Sequence, residues 1–416
     1  MSNKKNDIEL KWKKLSDEVD RKGGDGSAFV SAMKKLYSVY SPDLLSWLGG
    51  LFDKRIGGFY YSETAKNSDG FLPDIESTYQ ALALLHSSKT ISDYGELPES
   101  VRRRIAGFIC SLEDPNNGYF YHPQWSKLLV DSKTARKSRD LMWAVSIAAW
   151  LDFELPYSNA YVRMKEQNDS TAEWDGEIFA SREKFLGYLS SLDFKNRAES
   201  SIFKVTMQTS QICAAGLADV AVEFFNSIQN QENGLWADKV DVVSVHNFGS
   251  LSGMYQAMNR KIPNVDKAVC LIVKDYLTNT DNIRKMKDIS RIRRFWAAVE
   301  TAILNLRNFG DEREKNLAEE IERELLTLAP ELIAAVTEVL PQFKSSSGAF
   351  TYMPCGSPTT SSGVPVAPFE SLDGDVNATV IAVGIVIGIY RALGLWDYMI
   401  ELFDNDGFNK FVSAIE

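Results

Sequence analysis

The sequence predicts an all-α chain of six helical hairpins closed into a ring, and three observations carry that expectation. Apolar residues recur at three- and four-residue spacing through twelve segments, and strand-like alternation over five or more residues is nearly absent. Four times, a glycine followed by apolar and aromatic residues interrupts the helical pattern: Gly58-Phe59-Tyr60-Tyr61, Gly118-Tyr119-Phe120-Tyr121, Gly234-Leu235-Trp236 and Gly348-Ala349-Phe350. The steps between these glycines are 60, 116 and 114 residues, near one, two and two units of a common period, as a repeat with two degraded copies would give.

Taken in order, the helical segments fall near 27–48 and 73–87, 98–113 and 136–152, 176–190 and 200–215, 217–230 and 245–258, 265–278 and 289–307, and 312–340 and 375–393. A leading helix lies near 6–20 and a trailing one near 396–414. Six such pairs close most economically with one set of helices inside and the other outside. The first helix of each pair carries many charges, as in Val101-Arg102-Arg103-Arg104-Ile105, and belongs outside. The second is more evenly apolar, as in Leu141-Met142-Trp143-Ala144-Val145 and Val380-Ile381-Ala382-Val383-Gly384, and belongs inside. Gly176-Glu177-Ile178-Phe179 falls on the period but opens a helical run, so the third turn is expected near Phe194 to Ser200. Residues 1–24 read as an N-terminal helix and linker, and 25–416 as a single ring domain.

Two of the turns lead into a shared acidic phrase, Asp74-Ile75-Glu76-Ser77-Thr78 and Asp375-Val376-Asn377-Ala378-Thr379. Gly57-Gly58-Phe59 followed by Asp74-x-Glu76-x-Thr78-Tyr79-x-Ala81-Leu82-x-Leu84-Leu85 resembles the repeat of terpenoid cyclases and protein prenyltransferases, and the layout is similar to the six-hairpin glycosidases. All share the (α/α)6 toroid, which the resemblance implies here over about residues 25–414, with only the first and last repeats matching closely. Such a likeness speaks to fold more than to reaction.

Ring closure would make the first and sixth hairpins neighbours and bring Asp74 and Glu76 beside Asp375 and Asn377, with Asp373 close by, at the starts of inner helices. Helix dipoles and free amides stabilise carboxylates there, and adjacent helices about 8–10 Å apart suit the roughly 5–9.5 Å separation of glycosidase carboxylates. Glu76 is therefore the expected general acid, with Asp375 or Asp373 as base or nucleophile and Asp74 beside them. Each Asp would equally serve as a helix cap.

Arg139 and Asp140 open the second inner helix, His246 and Asn247 the fourth, and Arg293 with Arg294 the fifth. Arg139 could clamp a carboxylate or phosphate, and His246 could act as base or donor. Tyr61, His122, Trp125, Trp236 and Tyr352 sit on the turns, where aromatic faces suit sugar rings or simply pack the loops. Substrate binding is accordingly expected of Arg139, Asp140, His246, Asn247, Asn377, Tyr61, His122, Trp125, Trp236 and Tyr352. The long loop Ser345 to Leu372, rich in Pro, Ser and Gly, reads as a lid or a wall of the site.

Three functions follow. The first is a carbohydrate-active enzyme, glycoside hydrolase or lyase, acting on an oligosaccharide. The second is a terpenoid cyclase-like enzyme that protonates an isoprenoid; its Asp-x-Asp-Asp-Thr motif is similar to Asp74-Ile75-Glu76-Ser77-Thr78, although Ser77 replaces the third acid, and Asn377 replaces the middle acid of the last copy. The third is a binding scaffold whose acids are paired with internal Arg or Lys. A prenyltransferase zinc site lacks its Cys and His at matching positions, so neither metal nor cofactor is expected.

Composition sets the outer bounds. Hydrophobic residues at 44% and charged residues at 25% fit an ordinary globular core, and a net charge of −10 with no basic face argues against nucleic acid. The charged first 21 residues do not read as a secretory signal, and the apolar run Val376 to Ile389 is too short to span a bilayer. Cys110, Cys213, Cys270 and Cys355 lack metal spacing and are expected as reduced thiols, mostly buried, in a cytoplasmic chain. The oligomeric state stays open.

Overall fold

The computed structural model describes residues 2–168 and 178–416, and the chain is predominantly helical. Among the described residues the interior is formed by Ile75–Ser87, Thr134–Trp150, Ala198–Thr206, Val242–Ala257, Ile289–Phe309 and Val376–Ala392. Each packs on the next, and Val376–Ala392 packs back on Ile75–Ser87. Val376–Ala392 is buried almost all round, as its nearly unbroken apolar sequence requires. Outside lie charged amphipathic helices such as Glu99–Ser111 and the 28-residue Glu312–Val339, which packs on Gly26–Tyr37. The N-terminal helix Ser2–Arg21 also packs on Gly26–Tyr37, and its Trp12, Leu15 and Val19 join the same buried cluster as the interior helices.

Several expected segments are broken. The 27–48 segment divides at Ser41-Pro42 into Gly26–Tyr37 and Leu44–Gly50, because proline lacks an N–H and restricts the residue before it. The 200–215 segment divides into Ala198–Thr206 and Thr209–Ala214, and the 265–278 segment passes from an α-helix, Val265–Cys270, into a π-helix, Leu271–Leu277. In the 176–190 segment the described helix is Arg182–Ser191; Gly176 and Glu177 lie outside the described residues. Short helices at Lys127–Ser132 and Ala160–Asn168 fall in stretches without strong periodicity. None of the four cysteines is fully buried: Cys110 and Cys270 are half-buried, and Cys213 and Cys355 are exposed. They lie on helix flanks or in loops, so apolar sequence neighbours did not carry them into the core.

The first three glycine turns share one hydrogen-bond pattern. Asp53 receives Gly57 N–H at 2.8 Å and donates its own N–H to Gly58, Asp114 does the same with Gly118 and Tyr119, and Asn230 with Gly234 and Leu235. The equivalent glycine of the first turn is thus Gly57 rather than Gly58. Gly57, Gly118, Gly234 and Gly348 all have left-handed backbone, φ +68° to +91°, which glycine adopts without a Cβ penalty. The third turn is Asp193 to Arg197, closed by the Arg197 N–H on Asp193 O at 3.2 Å. It falls where the helix pattern placed it, and lacks the glycine that would have marked it.

The first and last repeats carry identical bonds. Phe59 N–H donates to Thr78 Oγ1 and Phe350 N–H to Thr379 Oγ1, both at 3.0 Å. Asp74 N–H donates to Phe59 O and Asp375 N–H to Phe350 O. The two repeats then join: Val376 N–H donates to Tyr61 O at 3.0 Å, Gln80 Nε2 to Asn377 Oδ1 at 2.9 Å, and Thr64 N–H to Asp373 Oδ2 at 2.7 Å.

Thr78 and Thr379 are both fully buried, so the shape-conserving Thr78→Val or Thr379→Val leaves a buried Phe N–H without an acceptor. Each is expected to lower the unfolding free energy in urea by about 1–3 kcal/mol, with serine at either position retaining most of it. Losses below about 0.5 kcal/mol at both sites would show that the repeated bond is dispensable.

Candidate functional site

The acidic phrase is organised by a residue that the sequence reading passed over. Arg136, in the first turn of Thr134–Trp150, has no solvent-exposed surface and carries three carboxylates: Asp140 at 2.8 Å, Glu76 at 2.8 Å and Asp74 at 3.3 Å. Its guanidinium lies 4.3 Å above the Trp125 ring. Burial works against its charge, but Asp140, Asp74 and Glu76 outweigh burial and hold the group above its ordinary range. Burial pushes the Asp140 carboxyl up to about 6, with Arg136 opposing.

Glu76 has little freedom left. It accepts from Arg136 and from Ser361 Oγ at 2.7 Å on one oxygen, and from Arg139 at 2.9 Å and Gln80 at 3.2 Å on the other. Asp74 caps its own helix through Ser77 N–H at 3.0 Å. Asp375 caps the last inner helix through Ala378 N–H at 2.7 Å and accepts from Ser357 Oγ. The Tyr61 hydroxyl faces its carboxyl without completing a hydrogen bond. Burial drives Asp375 up to about 7; Ser357, the Ala378 amide and Tyr61 oppose that, and Glu76 adds to it. Asp373 stands apart, accepting from Thr64 N–H and Oγ1.

A cavity of about 1590 Å³ opens among the interior helices. Of the residues singled out from sequence, Tyr61, Arg139, His246, Arg293, Arg294, Asn377 and Tyr352 line it. Asp74, Glu76, Asp140, Asp373 and Asp375 do not: Asp74, Glu76, Asp140 and Asp375 sit behind the wall, at most 2% exposed, and Asp373 is half-buried. His122 is also buried, with Nε2 2.7 Å from Pro73 O and its ring 4.7 Å from Trp125. Trp125 donates to Pro365 O at 2.8 Å, Trp236 donates to Phe225 O at 2.8 Å, and Asn247 is buried. These aromatics pack loops rather than face the cavity. His246 is lowered to about 3 by burial and by Arg294 and Arg291, so it is neutral there. Burial pushes the Tyr352 phenol up to about 12.

The long loop forms one wall. Its Thr360–Ser361 and Val364–Pro365 pair as a minimal antiparallel hairpin, and Pro358 and Thr360 to Gly363 line the cavity. Arg139 reaches it through Ser362 Oγ, while its guanidinium lies 4.2 Å over Trp143. Trp143, Tyr79 and Trp150 continue as a stack at 5.6 and 4.6 Å.

The charge of the cavity is the reverse of the chain's. Lys133, Arg139, Lys195, Arg197, Lys204, Arg293, Arg294 and Arg391 line it, against Glu199, Asp288 and Glu300. Arg293 sits inside the molecule but shows its side chain to the open space, and burial lowers it, with Arg391 adding to the effect and Glu300 opposing it. Burial and Arg293 together bring Arg294 down to about 10. Two interior glycines make room for this pair. A Cβ on Gly384 would fall 2.6 Å from Arg293 Nε, and one on Gly249 would fall 2.9 Å from Arg294 Cδ. Among the described residues no group of His, Cys, Asp and Glu is placed to hold a metal ion, and no helix is long and apolar enough to cross a membrane.

Comparison with known proteins finds no matching family model, no matching curated protein and no matching solved structure.

Asp375 gives a pH signature. Its folded pKa, about 7, lies above the ordinary value of 3.8, so the native state holds its proton more tightly than the unfolded chain. Stability from this group is present below about pH 4 and is lost as pH rises through 7. Asp375→Asn keeps a capping oxygen and removes the buried charge. We expect it to unfold at higher urea than the parent at pH 8, by about 1–4 kcal/mol, with the gap closing by pH 4. A variant weaker than the parent at pH 8 would contradict this.

Proposed function

We propose that the chain is an (α/α)6 toroid enzyme that acts on an acidic oligosaccharide, as a hydrolase or lyase, within the cavity enclosed by its inner helices. The cyclic order of packing, in which the last interior helix returns to the first, supports the toroid. The observation that carries the ligand class is the basic lining in a chain of net charge −10. Cations gathered in a low-dielectric space repel one another and lose hydration, and an anionic ligand offsets both costs. Arg139 stacked on Trp143, with Tyr79 beyond it, offers a guanidinium for a carboxylate or sulfate next to aromatic faces for a sugar ring.

The roles expected of the acids change in this proposal. Glu76, with both oxygens engaged, fixes Arg139 and the loop hairpin; it is a positioning residue. Asp375 suits proton transfer better, because a group poised near neutrality can both hold and release a proton. Tyr61 acts on the Asp375 carboxyl and also lines the cavity, and the proposed path of the proton runs from Asp375 through Tyr61. A second reading, a scaffold that binds without turnover, is favoured by the pairing of Asp74 and Glu76 with Arg136.

Thermal shift and product analysis with three ligand sets separate the classes. Oligogalacturonides are expected to stabilise the fold, by about 2.7 kcal/mol at a hundredfold excess over the dissociation constant, and to be cleaved. Neutral cello-oligosaccharides should do neither. Binding without cleavage selects the scaffold. Stabilisation by a prenyl diphosphate but not by uronates would replace the sugar reading with the cyclase-like one.

A further inference from the structure

The cavity carries one carboxylate that neither caps a helix nor pairs with a cation. Asp288 caps Ile289–Phe309 through Ser290 N–H, and Glu199 is held by Arg291 at 3.0 Å. Glu300 lies on the same face of that helix as Arg293, seven residues and about 10 Å along the axis. Among the described residues it accepts no hydrogen bond and makes no ion pair within 4 Å, although it lines the cavity with Arg293 and Arg391. Arg391, near the end of Val376–Ala392, is aligned by the Trp396 ring at 4.6 Å. Arg293 is seated by the missing side chain of Gly384, a residue type that weakens a helix interior unless its space is used.

We propose that Arg293, Arg391 and Glu300 form an oxyanion site in the cavity, where Glu300 takes up one proton from solvent when a sulfate, phosphate or carboxylate group settles between the two guanidiniums. This rests on the reading of the cavity as a chamber for anionic ligands. While it is ionised, Glu300 supplies the negative charge that the guanidiniums lack. An entering oxyanion takes that role and repels the carboxylate, which becomes neutral by protonation. One anion and one proton then enter together, and the local charge stays balanced. Burial already raises Glu300 above its ordinary value despite Arg391 and Arg293, so the proton is near at hand.

The groups around Glu300 leave this assignment simple. The Val242 helix brings His246, at the Arg294 end, and Tyr255, bonded to Asn226. Glu312–Val339 brings Glu322, held by Lys22 and Arg307, and Val265–Cys270 brings Asp266, Lys267 and Cys270. Of all these elements and Val376–Ala392, the charges that act on Glu300 among the described residues are Arg391 and Arg293.

The test is calorimetric titration of the full chain with sodium sulfate, which has no proton to exchange between pH 5 and 8, in buffers of different ionisation enthalpy. The parent should take up close to one proton per sulfate, with affinity falling about tenfold per pH unit above the Glu300 pKa. Glu300→Gln, which keeps the shape, should show uptake near zero and a flat pH dependence, and should bind more tightly at pH 8. Arg391→Gln should lose at least tenfold in affinity, with an unchanged thermal midpoint confirming that it folds. Parallel titrations with inorganic phosphate and trigalacturonate tell a free oxyanion from one carried on a sugar. Uptake that persists in Glu300→Gln overturns the site and leaves the anionic cavity standing. If no anion binds the parent, both fall.

Discussion

One buried guanidinium constrains the rest of the molecule. Arg136 has no access to water, so its charge is tolerable only because Asp74, Glu76 and Asp140 surround it. Removing either side of such a cluster leaves uncompensated charge and costs several kcal/mol. Two of its partners come from the first interior helix and its cap, and the third from its own helix. Glu76 also accepts from Ser361 of the long loop, and Gln80, one turn later, bonds Asn377 of the last repeat. The ionic cluster therefore ties the first two interior helices together, and its hydrogen bonds extend to the loop and the last helix.

This constraint decides which acids are free. Asp74 and Glu76 looked catalytic because they repeat in the last hairpin and lie at helix starts. The repetition also has a structural side: the Asp caps the helix and the Thr bonds the turn in both copies. Where the copies differ, Glu76 against Asn377, the difference follows the cluster. Glu76 meets two arginines, whereas Asn377 meets the Gln80 amide. Among the described residues Arg293, Arg294 and Arg391 make no ion pair and face the cavity instead, and Gly384 and Gly249 make the space for the first two.

Much of this was legible in the sequence. Helical spacing and the glycine turns gave the interior segments and the meeting of the first and last repeats, and even the glycine-free third turn was placed within a few residues. Arg136 and Asp140 stand at the i, i+4 spacing of a helical ion pair, a signal that the adjacent Arg139-Asp140 pair obscures in the sequence. Glu300 had a signal too, two helical turns after Arg293 on one face. What spacing could not give is the direction of a side chain across a turn. His122, Trp125 and Trp236 read equally as rim or packing, and the structure packs them with their ring nitrogens on backbone carbonyls, Pro73 and Pro365 in loops and Phe225 in the helix Ala218–Ile228. The acids likewise read as facing a mouth, while the guanidinium that turns them inward comes from another helix.

Asp74 and Glu76 of the first acidic phrase act as a structural clamp, and the anionic ligand is held by the arginines of the cavity. Anomalous scattering from crystals soaked in selenate tests it directly. The account predicts a selenium peak between Arg293 and Arg391, facing Glu300, with Glu76 still bound to Arg136 and Arg139. A cavity without selenium, or selenate that displaces Glu76 from Arg136, would contradict that assignment.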